Sequence, residues 1–372
     1  MLVGVPKEIK VHEYRVGLVP ANVREMVLHG HAVIVETKAG AGIGVRDRDY
    51  ETAGATIVSS AREVFERADM VIKVKEPQPS ECKMLRQGQV LFTYLHLAPD
   101  PQQTRLLMES GAIAIAYETV TDSRGGLPLL APMSEVAGRM SVQAGAHCLE
   151  KEKGGRGVLL GGVPGVAPGK VVILGGGVSG THAARMALGL GAQVTVLEKS
   201  LPRIQQLDEL FQGRLRTEYS SVDTVERRVC EADLVIGAVL VPGAAAPKLI
   251  DRSMLKQMLD GSVVVDIAID QGGCLETSRP TTHAEPTYME EGIVHYCVAN
   301  MPGAVARTST LALNNATLPF ALQLADLGYR RALAENSHLR AGLNVHEGRV
   351  TYRAVAEALD CAYVPAEEAL GL

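Results

Sequence analysis

One 29-residue segment, KVVILGGGVSGTHAARMALGLGAQVTVLE, starting at Lys170, constrains this chain more than any other. It reads as an apolar strand, a GxGxxG turn, an alanine-rich helix, a second apolar strand and a terminal acid. Gly175 permits the tight turn, Gly177 lets the backbone approach a pyrophosphate, and Gly180 lets helix and strand pack closely. The helix N-terminus adds free N–H groups and the positive end of its dipole. Glu198, 23 residues beyond Gly175, stands where an acid hydrogen-bonds an adenosine ribose. Glycines alone are a weak signal, but the complete strand–turn–helix–strand–acid series predicts a dinucleotide site. A 2′-phosphate 4 Å from Glu198 would meet a repulsion of about 4 kcal/mol at an effective dielectric of 20, which favours NAD over NADP. Lys199 and Arg203 follow closely, and fit solvated helix-face charges as well as phosphate contacts.

The remainder of the chain extends this pattern in both directions. Its 372 residues predict two or three domains at about 150 residues each. Upstream, short apolar runs at 2–5, 32–36, 70–74, 90–95 and 112–116 read as strands. Segments 20–29, 59–67 and 101–110 read as intervening helices, and 133–151 as a longer helix leaving the domain. Downstream, strands are expected at 170–174, 193–197, 214–219, 233–239, 262–269 and 293–298. Such alternation implies βαβ units and a mainly parallel sheet. From residue 308 the pattern is helical, with Pro319 expected to kink or break it. That tail has too few strands for a third domain. The predicted fold is therefore α/β, with two Rossmann-like doubly wound domains. Residues 131–306 form the nucleotide domain; 1–130 and 307–372 form a discontinuous substrate domain.

Composition removes several classes of function. Thirty-seven basic against 42 acidic residues, with no basic run, argue against a nucleic-acid partner. Only 14 aromatics, none of them Trp, make a poor base-stacking platform. Six cysteines without a CxxC pair suit reduced thiols in a cytoplasm. The N-terminus lacks a signal-peptide apolar region, and the uncharged stretch 308–325 is too polar for a membrane span. Eleven of the 38 glycines fall between Gly154 and Gly180, so the glycine surplus belongs to a linker and the nucleotide turn.

In open parallel sheets, ligands bind beyond the carboxyl ends of the strands. That rule selects Asp270 in the second domain. In the first it selects Lys73 and Lys75 (VIKVKEP), Tyr94 and His96 (FTYLHLA), and Glu118, with Arg15 in the loop after the first strand. Arg15, Lys75, His96 and Asp270 would face one cleft. Two cations suit a carboxylate and a neighbouring carbonyl, and His with an acid suits proton transfer. Plainer alternatives exist for each: Lys73 and Lys75 alternate as on a solvated strand edge, and Asp270 precedes a Gly-Gly turn. His29 and His31 flank Gly30 as in a surface turn. Asp266, mid-run in SVVVDIAIDQGG, sits at odds with burial.

With these residues in view, the chain resembles the L-alanine dehydrogenases, within the alanine dehydrogenase/pyridine nucleotide transhydrogenase family, over nearly its whole length. GVPKEIK, EYRVGL, VIKVKEP, LFTYLHLA, LPLLAPMSEVAGRMS, GGRGVLLGGVPGV, DIAIDQGGC, RPTTHAEPTY and VANMPGAVARTST carry the likeness. The resemblance implies reversible NAD-dependent deamination of L-alanine to pyruvate and ammonium. It implies substrate contacts at Arg15 and Lys75 and acid/base roles at His96 and Asp270. It also implies NAD contacts at Ser134, Val178, Ser179, Glu198, Arg203, Ser220, Val239, Leu240, Ile267, Ala268, Ile269, Asp270, Arg279, Val298, Ala299, Asn300 and Met301. Where this chain has Glu198 the family commonly has Asp. Some members carry a metal-binding His opposite Glu118; the residues around Leu327 offer no equivalent, so no metal is expected. A cytoplasmic homohexamer without a membrane partner is the implied assembly. The rival readings are the NAD-binding subunit of a proton-translocating transhydrogenase and a non-catalytic NAD-binding regulator.

Overall fold

The computed structural model describes residues 1–239 and 246–372, so Leu240 lies outside the described residues. In chain order the strands are β1 (Leu2–Val5), β2 (Ala32–Glu36), β3 (Thr56–Val58), β4 (Met70–Ile72), β5 (Val90–Thr93) and β6 (Ile113–Ala116). There follow β7 (Lys170–Leu174), β8 (Gln193–Glu198), β9 (Arg216–Tyr219), β10 (Leu234–Gly237) and β11 (Val263–Asp266). The last are β12 (Thr287–Glu290), β13 (Ile293–Tyr296), β14 (Leu343–His346) and β15 (Arg349–Val350). The chain clusters into two compact units, Met1–Met133 with Val305–Leu372, and Ser134–Ala304.

The first unit holds an eight-stranded sheet in the order β15-β14-β6-β5-β4-β1-β2-β3. Strands β1 to β6 pair in parallel, and the C-terminal tail adds β14 and β15 antiparallel at one edge. Helical periodicity hides those two strands in the sequence, because both are short and the pair lies between helices. Strands β4, β5 and β6 are buried at every residue, as expected of a parallel sheet covered on both faces. One face packs with Leu313, Ala321 and Leu324 of the helix Ala306–Leu327. That helix runs through Pro319 without ending. The missing N–H costs a hydrogen bond, on the order of 3 kcal/mol with the ring clash, but the helix is anchored on either side of it. Asn314 accepts from the backbone N–H of Val19 (2.8 Å) and from Asn22 (3.0 Å), and Ala321, Leu324 and Ala325 are core residues.

The second unit holds a seven-stranded sheet, β12-β13-β11-β10-β7-β8-β9, parallel except for β12 at the edge. The order reverses beside β7, which makes the carboxyl end of β7 the switch point where doubly wound sheets bind ligands. Strand β11 stops at Asp266, which is fully buried yet satisfied. Its carboxylate accepts from Ala268 N (3.0 Å), Cys274 N (2.8 Å) and Ser278 Oγ (2.5 Å). The conflict between charge and burial thus resolves as a structural bracket that turns the chain into the short helix Ile267–Gln271.

Candidate active site

In the nucleotide unit, the three glycines do three different things. Gly175 has φ +97°, a conformation that L side chains rarely adopt. A Cβ on Gly180 would lie 1.9 Å from the Gly175 carbonyl oxygen, so the first turn of the helix closes on the loop itself. A Cβ on Gly177 would meet nothing within 4 Å, leaving open space at the N-cap of the helix Val178–Gly189. That is the cradle a pyrophosphate needs. Val178 and Ser179 therefore lie in the first helical turn rather than in the preceding loop.

Glu198 ends β8 and its carboxylate lies across the loop. Oε2 accepts from Gly176 N (2.8 Å), and Oε1 from Lys199 N (2.8 Å) and Ser200 N (2.9 Å). Arg203 is not a solvated helix-face charge. Its Nε donates to Gly176 O (2.7 Å), Nη2 to Thr181 Oγ1 (2.7 Å) and Nη1 to Gln206 Oε1 (2.9 Å). Acid and arginine thus bind the N–H and C=O of the same glycine and fix the loop's shape. Ser220 follows β9, Val239 follows β10, and Ile267, Ala268, Ile269 and Asp270 follow β11. Val298, Ala299, Asn300 and Met301 follow β13, with Ala299 N bonded to Thr281 O (3.2 Å). All of these lie along the carboxyl edge of one sheet. Ser134 lies in the helix Ala131–Cys148. Arg279 lies over the Tyr288 ring, 3.9 Å from its centroid, and Asp270 is exposed.

In the first unit, the carboxyl ends of β1, β4, β5 and β6 are neighbours, and they bring Arg15, Lys75, His96 and Glu118 to one edge. Arg15 is 2% exposed, and Glu13 grips it with two bonds, Nε to Oε1 (2.7 Å) and Nη2 to Oε2 (2.6 Å). Its Nη1 donates to Met133 Sδ (3.0 Å). Burial by itself would lower the Arg15 pKa, but Glu13 more than compensates, so the guanidinium stays charged. Lys75 is anchored through its carbonyl by Thr93 Oγ1 (3.0 Å), and its ammonium lies 3.8 Å from Glu76.

Lys73 is not an edge lysine. It is fully buried between Glu8 (3.0 Å) and Glu81 (2.8 Å). Glu8 also accepts from Val74 N (2.7 Å), and Glu81 from Gln78 N (2.8 Å). The triad therefore staples three segments around Lys75. His96 keeps its ring partly exposed, stacked on Tyr94 at 5.8 Å, while Tyr94 Oη donates to Leu129 O (2.5 Å). His29 and His31 do more than form a turn: both hold Asp326, at 3.0 and 2.8 Å. Sequence reasoning missed Glu8, Glu13 and Glu81. Their signal, Glu at positions 8 and 13 beside a basic loop, becomes readable only once the strand order is known.

A glycine-loop Rossmann unit and a second α/β unit with clustered cations, in one chain, define a two-unit dinucleotide-binding oxidoreductase. The alanine dehydrogenase/PNT N-terminal domain model matches residues 4–137, and the C-terminal domain model matches 141–353. The chain belongs to the alanine dehydrogenase/PNT family. It is 62% identical to an alanine dehydrogenase of Halomonas elongata, across 100% of both chains. A solved L-alanine dehydrogenase superposes with TM-score 0.94 at 55% identity, covering 97% of this chain and 99% of that one. A transhydrogenase from Sinorhizobium meliloti shares the fold, with TM-score 0.80 at 24% identity over 95% of this chain and 100% of that one.

Proposed function

We propose that the chain catalyses the reversible, NAD-dependent oxidative deamination of L-alanine to pyruvate and ammonium. The observation that carries this reading is full-length identity of 62% to a protein named alanine dehydrogenase, joined to the cation cluster at the edge of the first sheet. NAD, when bound, supplies the hydride acceptor. Gly177 leaves open space where its pyrophosphate would sit, Glu198 would meet its adenosine ribose, and Arg203 holds the glycine loop in shape. Arg15 and Lys75 hold the substrate carboxylate and carbonyl, the first as a fixed fork and the second as a point charge. His96 moves the proton at the amine or carbonyl oxygen, and Asp270 is the second acid/base residue.

Residues 1–130 and 307–372 are the substrate domain in this reading, and 131–306 the NAD domain. The working assembly is a cytoplasmic homohexamer. Leu159, Val163 and Val166 support self-association, since they stand 67%, 53% and 63% exposed around one glycine-rich turn. Among the described residues, no helix is long and apolar enough to cross a membrane. The test of function is NADH oxidation with pyruvate plus ammonium, repeated without ammonium and with NADPH. Oxidation that needs ammonium and prefers NADH supports the assignment; oxidation independent of ammonium, or none, contradicts it.

A further inference from the structure

The register of the first sheet pairs Thr93 of β5 with Ala116 of β6. Continued two residues past the strand ends, that pairing sets Leu95 against Glu118, with His96 the next residue along. There the ladder stops, yet the two N–H groups are not left over. Glu118 Oε1 accepts from His96 N (2.6 Å) and Leu95 N (3.1 Å), and Oε2 lies 3.2 Å from Leu95 N. A side-chain carboxylate takes the place of the next backbone carbonyl. His96 itself has φ +48°, in the left-handed region that is uncommon for side chains other than glycine. The imidazole is not the group being held: its Nδ1 is 3.9 Å from Glu118, beyond hydrogen-bond reach. Gln103 fixes the same turn from the other side, donating from Nε2 to Leu95 O (3.0 Å).

We infer that Glu118 is a positioning residue, a latch that holds the His96 backbone in its left-handed turn so that the imidazole points at substrate. The inference rests on the acid/base role of His96. It differs from a carboxylate–histidine dyad, in which the acid would bond the ring and set its tautomer. It also makes the acceptor oxygen, and not the negative charge, the property that matters. Oε1 alone reaches both N–H groups, so glutamine at 118 can do the same work. Aspartate keeps the charge but is shorter by one carbon–carbon bond, about 1.5 Å, and falls short of both donors.

The experiment compares Glu118→Gln, Glu118→Asp and His96→Ala in steady-state kinetics with pyruvate, ammonium and NADH, alongside NADH dissociation constants and urea midpoints. Glu118→Gln is expected to stay within about fivefold of wild-type kcat. Glu118→Asp is expected to lose about 100-fold, the scale of a misplaced catalytic group. NADH binding should be unchanged in both. Aspartate equal to or better than glutamine overturns the latch, because charge or mere bulk would then account for Glu118. His96→Ala separates the two levels of the argument. If it turns over at the wild-type rate, the role of His96 falls. If it is inactive while aspartate outperforms glutamine, only the latch falls.

Discussion

Glu13 and Arg15 form a two-bond fork in which neither side chain reaches solvent appreciably, at 0% and 2% exposure. The finding alters what Arg15 offers a substrate. Its charge is largely met by Glu13, so its contribution is a rigid donor array set by the fork and not a bare cation. Removing Glu13 leaves a buried guanidinium without its counter-charge, a loss typically worth about 3–5 kcal/mol. Glu13→Ala should lower the urea midpoint accordingly and raise KM for pyruvate more than KM for NADH. A wild-type midpoint, or equal rises in both KM values, would contradict this account.

The Glu8–Lys73–Glu81 triad predicts an alkaline transition. Burial alone would lower the Lys73 pKa, but Glu8 and Glu81 together raise it to about 12 from the usual 10.5. The stabilisation is therefore fully present below pH 10.5 and is lost as pH rises through about 12, on the order of 2 kcal/mol. Glu8 works in a separate window: burial raises its pKa, so the stability tied to its protonated form is present below the usual carboxylate range and is lost as pH rises through the raised value. Lys73→Met should cost about 3–5 kcal/mol at pH 8, and the gap to wild type should narrow between pH 10 and 12. A gap that does not change with pH would remove Lys73 from the explanation.

Coenzyme choice should follow Glu198. Arg203 is committed to Gly176, Thr181 and Gln206, so its guanidinium shapes the loop instead of standing ready for a 2′-phosphate. NADH should exceed NADPH by about 100-fold in kcat/KM, or about 2.8 kcal/mol. Glu198→Gln should narrow that ratio below about tenfold, since the repulsion goes and the acceptor oxygen stays. An unchanged ratio would place the discrimination elsewhere.

Thiol chemistry should be confined to the surface. Cys82, Cys148, Cys274 and Cys297 are buried. Burial raises Cys148 and Cys297 to about 11, and Cys274 well above the usual thiol range. Alkylation of the native protein at pH 8, read by peptide mass, should modify Cys230 and Cys361 first. Fast labelling of Cys274 or Cys297 without loss of fold would show those thiols to be accessible.

Much of the fold was legible, because most of the parallel strands are apolar runs bounded by turn residues. What escaped was short or held by packing: β3 and β12 have three and four residues, and Pro319 masks a helix that tertiary contacts keep whole. At the site, residue types and strand ends were readable, since ligands gather where parallel strands finish. Partnerships were not. Lys73 and Lys75 are two residues apart and look alike in sequence, yet one is a fully buried staple. Glu118 becomes meaningful only through the β5–β6 register, which no local pattern encodes.

The central claim is that hydride passes between the nicotinamide and the α-carbon of a three-carbon amino acid. The most direct test is to supply NADH deuterated at both C4 positions with pyruvate and ammonium, and to examine the product by NMR and mass spectrometry. The account predicts L-alanine carrying one deuterium at Cα for each NADH oxidised. Deuterated lactate, or alanine without label at Cα, would contradict it.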